Sequence, residues 1–334
     1  MIPFSGALTN TERWQRQLAE SFRSPRALLE HLELAHLWHP RMEEAAAAFP
    51  LRVTRYFAGL MKKGDPADPL LLQVLPSARE LEAAPGYSED PTGDGPARTG
   101  PGVLRKYHGR ALVIATGSCA VHCRYCFRRH YPYQENRPDA RDWSDVVESL
   151  AADPTLSEAI LSGGDPLALA DSRLQGLVDG LARLPHLQRL RIHTRLPVVL
   201  PQRIDTGLVR LLAGNRLKCA LVLHANHPAE VTTALAAALT PLRRAGVTLL
   251  NQAVLLKGIN DRLDLQTELC EKLFDIGVLP YYLHQLDKVS GAAHFEVSKN
   301  RAKALHEEMR VQLPGYLLPR LVEERAGAAS KLPL

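Results

Sequence analysis

The sequence predicts an α/β protein built on a parallel sheet, and three observations carry that expectation. Short apolar runs recur at 111–116, 158–163, 190–194, 219–225, 247–256 and 279–286. Helical segments such as WSDVVESLAA, SRLQGLVDGLARL and LQTELCEKLFDIG separate them. Six alternating strand–helix units imply parallel pairing, because right-handed crossovers lay helices over the sheet and bury both faces of each strand. Pattern alone leaves a partial barrel and an open doubly wound sheet both standing. The third observation favours the barrel. Polar residues gather where the runs end, at Cys119, Gly163 to Asp165, His193, His224, Gln252 and Asp287. Strand C-termini in a barrel converge on one face and build one shared site.

Ahead of the strands, residues 1–100 read as a helical region with a connecting loop. NTERWQRQLAESF opens with Asn10 or Thr11 as a candidate N-cap and Glu12 in the first turn. PRALLEHLEL and VTRYFAGLMKK carry further helical patterns. APGYSEDPTGDGPARTGPG is rich in Gly, Pro and Asp and reads as a long loop. Residues 101–290 are then the barrel, and 291–334 a helix followed by a short tail, RAGAASKLPL, that reads on its own as a frayed end.

Composition narrows the class. Hydrophobic content of 46% and charged content of 23% are those of an ordinary globular protein. The first residues lack a basic segment followed by an apolar run, and no apolar stretch is long enough to span a bilayer, so the expected location is cytoplasmic. Five cysteines, an odd number, speak against a disulfide framework. The net charge is +5, but basic and acidic residues are interleaved along the chain. A mildly basic enzyme therefore fits better than a nucleic-acid surface.

The chemistry concentrates in CAVHCRYCFRRH. Cys119, Cys123 and Cys126 follow the first barrel strand at C-x3-C-x2-C spacing. Zinc in a closed site needs a fourth ligand, for which His122 or His130 is at hand. An iron–sulfur cluster held by three thiolates instead leaves one iron open to a small molecule. Arg128 and Arg129 follow directly, and Arg129 reads as a solvated charge. Cys219 and Cys270 lie in apolar patterns and read as small core residues.

The cysteine spacing after the first strand resembles that of the radical S-adenosylmethionine enzymes. Read together, KYHGRAL, CAVHCRYCFRRHY, SGGDPL, RIHTRLPVVLPQRI, NHPAEV, GVTLLNQAVLLKGIND, PYYLHQLDKVSGAAHF and RAGAASKLPL resemble the lysine 2,3-aminomutases. The likeness is to the short bacterial form that supplies β-lysine for modification of elongation factor P. It implies a partial (β/α)6 radical-SAM barrel and three cofactors: a 4Fe–4S cluster on Cys119, Cys123 and Cys126, S-adenosylmethionine, and pyridoxal phosphate. Gly163, Gly164, Asp165 and His224 would hold S-adenosylmethionine, with Asp165 facing its ammonium. Lys331 would form the Schiff base with pyridoxal phosphate, and Arg110 and Lys106 would hold the phosphate. Arg128 would take the substrate carboxylate, and Asp287 and Glu324 the ε-ammonium of L-lysine. At two places the chain departs from the family's pattern: Lys106 stands where arginine is usual, and Glu324 where aspartate is. Further partners implied are a reductant protein and the ligase pathway that attaches β-lysine to elongation factor P, with no membrane and no nucleic acid, and a homo-oligomer is compatible. A general-metabolism lysine aminomutase is the near alternative; the chain's stopping three residues after Lys331 favours the translation-factor role. A zinc-containing nucleic-acid-binding protein is the alternative from another class.

Overall fold

The computed structural model describes residues 10–136 and 142–334. Its centre is a single ten-stranded sheet: β1 Arg98–Gly100, β2 Val103–Leu104, β3 Arg110–Thr116, β4 Glu158–Gly163, β5 Arg189–Thr194, β6 Lys218–Leu223, β7 Thr248–Val254, β8 Leu279–His284, β9 Arg320–Glu323 and β10 Leu332–Pro333. The spatial order equals the chain order. All pairs from β3 to β9 are parallel, whereas β1, β2 and β10 join antiparallel at the two ends. A doubly wound sheet reverses its strand order at a switch point. Here no reversal occurs, so the six expected strands form a singly wound, partial barrel.

The parallel part holds seven strands rather than six. β9 lies in the segment expected to be only helix and tail, and it pairs parallel with β8 from Tyr282↔Arg320 to His284↔Val322. The last residues are not frayed either. β10 pairs antiparallel with β9, Leu332 opposite Glu323. This hairpin fixes where Lys331 stands.

Helices fill the crossovers. Ser144–Ala151, Asp171–Ala182, Thr206–Ala213, Thr233–Arg244 and Leu263–Asp275 each bury an apolar stripe against the strands. Asp205 and Thr232 cap the third and fourth of these through their side chains. The N-terminal region is helical as expected, in Asn10–Ala19, Pro25–His31 and Pro40–Ala48, but VTRYFAGLMKK forms only one turn, Arg55–Ala58. One continuous apolar core runs from Trp14 and Leu28 through Val113, Leu161 and Leu223 to Leu321. The N-terminal helices therefore pack as part of the barrel. No helix among the described residues is long and apolar enough to cross a membrane.

Candidate active site

The cysteine loop leaves β3 and is fastened from outside by buried charge. The Arg124 guanidinium, fully buried, donates to both Glu80 oxygens and to the carbonyls of Phe49 and Ala45. Arg129 is not the solvated charge expected of it: its Nη2 lies 2.7 Å from Glu80 Oε2, and its side chain is buried. The loop is thus clamped to the N-terminal region by two arginines sharing one carboxylate. Removing one partner of such a buried pair leaves an uncompensated charge.

Across the loop, the end of β4 presses in. A Cβ on Gly164 would stand 2.4 Å from the Ser118 carbonyl oxygen, and Gly163 has a φ of +109° with Thr116 O at 2.7 Å from a built Cβ. Only glycine permits that approach. Asp165 follows and is buried. One oxygen accepts from Thr194 Oγ1 at 2.6 Å and Leu167 N at 3.0 Å, the other from Arg195 N and Leu196 N, each at 2.8 Å. Four donors use the lone pairs of a carboxylate. Asp165 therefore ties the β4 and β5 loops together, and it also lines the cavity that holds the three thiols.

Cys119, Cys123 and Cys126 line one cavity of about 230 Å³. Gly163, Gly164, His193, His224, Gln252, Arg128, Asp287 and Lys331 share its wall, so the ends of β3 to β8 do converge. Burial raises the Cys119 thiol, helped by repulsion from Cys126 and Asp165; burial and Cys123 push Cys126 up to about 11. Cationic metal is what such thiols need before they ionise. Arg195, to which sequence reasoning gave no role, supplies one fixed cation: its Nη1 lies 2.7 Å from Cys123 Sγ, and it also meets Tyr125, Gln73 and Glu230.

The donor set suits a cluster better than zinc. Among the described residues no three His, Cys, Asp or Glu side chains close around one metal ion, as a tetrahedral zinc would require. Of the candidate fourth ligands, His130 lies outside the lining of the thiol cavity, its Nε2 3.1 Å from Ser290 O, whereas His122 lines it with Nδ1 2.7 Å from Pro50 O. His224 stacks on Tyr125, whose hydroxyl lies 3.0 Å from its Nε2, and burial beside Arg195 lowers it to about 3. It is a neutral imidazole.

A second cavity of about 390 Å³ adjoins the first, and Lys331, His193, Arg128 and Leu112 line both. Its other walls include Tyr107, Arg110, Arg191, Tyr282 and Arg320. Between the two runs a file of alternating charge. Lys331 Nζ is 2.6 Å from Glu324, Glu324 is 3.1 Å from Lys106, and Lys106 is 2.5 Å from Asp94. Asp94 is 2.6 Å from Arg128 Nε, and Arg128 Nη1 donates to Ser162 Oγ at 2.9 Å. Burial alone would raise Glu324, yet Lys331 and Lys106 hold it down at about 2. Lys106 thus meets two carboxylates and the Thr92 carbonyl while lining the second cavity. Arg110, more exposed, lines the second cavity beside Tyr107.

Asp94 was missed because it lies in a stretch whose Gly, Pro and Asp content signals loop. The usable signal was an acid that a fold would have to bury beside RKYHGR. His193 and Arg191 were readable as the alternating polar positions of RLRIHT. His193 Nε2 is buried without a partner, as is Arg191 Nε.

Burial, then the nearby Glu324, push the Asp287 carboxyl up to about 7 against the pull of Lys331 and Lys106. An un-ionised acid pairs weakly with an ammonium, so a substrate carrying a primary ammonium at this wall should bind more tightly as pH rises through 7. The expected fall in the KM of such a substrate between pH 6 and 7 is roughly fivefold for one such ionisation, flattening above pH 8. Asp287→Asn should remove the dependence. A KM profile that is flat in the parental chain contradicts this role.

Fold and site together define the class: an enzyme of the radical S-adenosylmethionine type, with three thiols at the C-terminal mouth of a partial parallel barrel. No family model matches the chain. It is 48% identical to the L-lysine 2,3-aminomutase of Escherichia coli over 97% of this chain and 94% of that one. The Haemophilus influenzae L-lysine 2,3-aminomutase is 44% identical over 99% and 98% of the two chains, and that of Clostridium subterminale 32% over 96% and 77%. Among solved structures, Streptococcus suis SuiB bound to S-adenosylmethionine aligns over 67% of this chain and 52% of its own, with a TM-score of 0.47 and 12% identity. The chain belongs to the L-lysine 2,3-aminomutase family.

Proposed function

We propose that this chain isomerises L-lysine to β-lysine, using a 4Fe–4S cluster with S-adenosylmethionine in the cysteine cavity and pyridoxal phosphate on Lys331, and that the product serves the modification of elongation factor P. The observation that carries the reading is the position of Lys331 on the wall shared by the two cavities. One cavity has three thiols and the other a basic lining around a primary amine.

When bound, the cluster and S-adenosylmethionine supply a carbon radical able to take hydrogen from an unactivated carbon, and pyridoxal phosphate supplies a π-system through which nitrogen can migrate between adjacent carbons. The chain's own residues do the rest. Cys119, Cys123 and Cys126 supply three thiolates. Gly163 and Gly164 keep the β4 loop low enough for a ligand to lie over it. Neutral His224 and Gln252 offer hydrogen bonds to the same ligand without adding charge. Arg128, held by Asp94 and Ser162, presents its remaining N–H groups to a substrate carboxylate, a geometry suited to a guanidinium fork. The Glu324–Lys331 pair is itself an ammonium–carboxylate contact. Glu324, with Asp287, would meet the substrate's ε-ammonium. The buried walls exclude water, which keeps those charges strong.

The direct test is anaerobic incubation with reductant, S-adenosylmethionine and L-lysine, followed by chiral analysis of the amino acids. β-Lysine as product supports the reading; recovery of lysine alone from an iron-loaded, pyridoxal-loaded sample overturns it. Transfer of the product to elongation factor P is read by the mass gain of that factor when its ligase is added.

A further inference from the structure

Barrel interiors are ordinarily filled by layers of branched apolar side chains. This one is not. Along β5, Arg189, Arg191 and His193 alternate with buried Leu190 and Ile192. A third cavity, of about 370 Å³, opens at the N-terminal ends of the strands, with His108, Arg110, Arg189, Arg191, Ala220 and Leu250 on its walls. It shares Arg110, Arg191 and Tyr281 with the basic cavity, which in turn shares Lys331 and His193 with the cysteine cavity. Three cavities therefore abut in series through the barrel, and the residues of β5 mark the sequence from mouth to Lys331.

The charge at the mouth of this series is lopsided. Glu158 is the one carboxylate lining the mouth, against Arg110, Arg189 and Arg191. It pairs with Arg191 Nη2 at 2.6 Å, leaving Arg191 Nε without a partner. Arg189 donates to neutral groups, Ser157 Oγ at 2.6 Å and Gln188 Oε1 at 3.4 Å. At the opposite face, by contrast, Arg128 and Lys106 are already neutralised by Asp94 and Glu324. A mouth at which cations outnumber carboxylates raises the local concentration of anions.

We propose that the N-terminal mouth is the route by which the phosphate-bearing cofactor loads, passing along Arg189 and Arg191 to reach Lys331. The inference rests on the assignment of pyridoxal phosphate to Lys331. It separates the two traffics by charge: the arginine file attracts a phosphate monoester and repels L-lysine, which is a net cation at neutral pH. Lysine and S-adenosylmethionine are left with the C-terminal face.

The test follows pyridoxal phosphate capture by cofactor-free protein in stopped flow, with borohydride trapping on Lys331 as the end-point. Arg189→Glu should slow association about tenfold or more, and the salt dependence of the parental rate should weaken in the variant. Arg189→Lys should stay near the parental rate. Pyridoxal, which lacks the phosphate, should be captured equally by all three. Leu250→Trp, which narrows the mouth without changing charge, should slow both compounds. The final amount trapped on Lys331 should be the same throughout. Unchanged association rates in both Arg189→Glu and Leu250→Trp, with normal trapping, overturn the route and leave the cofactor assignment intact. Failure to trap any pyridoxal phosphate on Lys331 in the parental chain overturns the assignment and the route with it.

Discussion

Cys123→Ala is expected to lose essentially all isomerisation, by on the order of 10³-fold or more, and to retain only a small fraction of the parental iron after anaerobic reconstitution. Three thiols are the minimum that can hold a cluster while leaving one iron open. Cys123 is also the thiol against which Arg195 is placed, so its removal leaves that buried guanidinium with Tyr125, Gln73 and Glu230 alone. The contrast lies with the other two cysteines. Cys219 and Cys270 are buried in the outer core, away from the cavity lining. Alanine at either should keep parental iron content and activity and lower stability by about 1 kcal/mol. Iron and sulfide analysis beside the rate of β-lysine formation checks both halves. Parental activity in Cys123→Ala would remove the basis for a cluster.

Lys331→Ala is expected to abolish capture of pyridoxal phosphate and to reduce turnover by a comparable factor, on the order of 10³-fold, because no other primary amine lines both cavities. The electrostatic share of the effect can be separated from the covalent share. Lys331 is the leading cause of Glu324's depressed pKa, and Lys106 is the second. Lys331→Arg keeps a cation against Glu324 but supplies no amine for the carbonyl of the cofactor. It should therefore fold like the parental chain and still capture no cofactor, as read by borohydride trapping. Lys331→Ala should in addition raise the Glu324 carboxyl towards its ordinary value. The stabilising contribution of an acid with a depressed folded pKa is lost as pH falls through the interval between the unfolded and folded values. For Glu324 that interval is about 4.5 down to about 2. The alanine variant should lose less stability than Lys331→Arg across it.

Much of this protein is written locally. The six strand–helix units were legible because each strand is a short apolar run and each helix has its own periodicity, and neither signal needs knowledge of distant residues. The cysteine loop was legible for the same reason, since C-x3-C-x2-C lies within one turn of chain. What could not be read was how the ends are used. Nothing in RLVE marks a seventh parallel strand; it becomes one because β8 offers an unpaired edge beside it. Once β9 is in place, β10 pairs back on it and delivers Lys331 to Glu324.

The same division explains how the charged side chains are paired. Asp165 looks like a free acid in SGGDP, and only the arrival of Thr194, Arg195 and Leu196 from the next strand's loop supplies three of its four donors. Arg129 looks solvated until Glu80, 49 positions earlier, comes to lie beneath it. Lys106 looks unpaired until Asp94 and Glu324 meet it, the latter from the far end of the chain. The sequence by itself determined the identity of the elements, the three-thiol loop and the chemistry its side chains can perform, because these depend on neighbours a few residues apart. Tertiary structure decided which charges are paired, which lysine reaches the shared wall, and that three cavities abut between the strands. Those depend on burial and on Coulomb partners brought together from remote segments, where the cost of leaving a charge alone selects the arrangement.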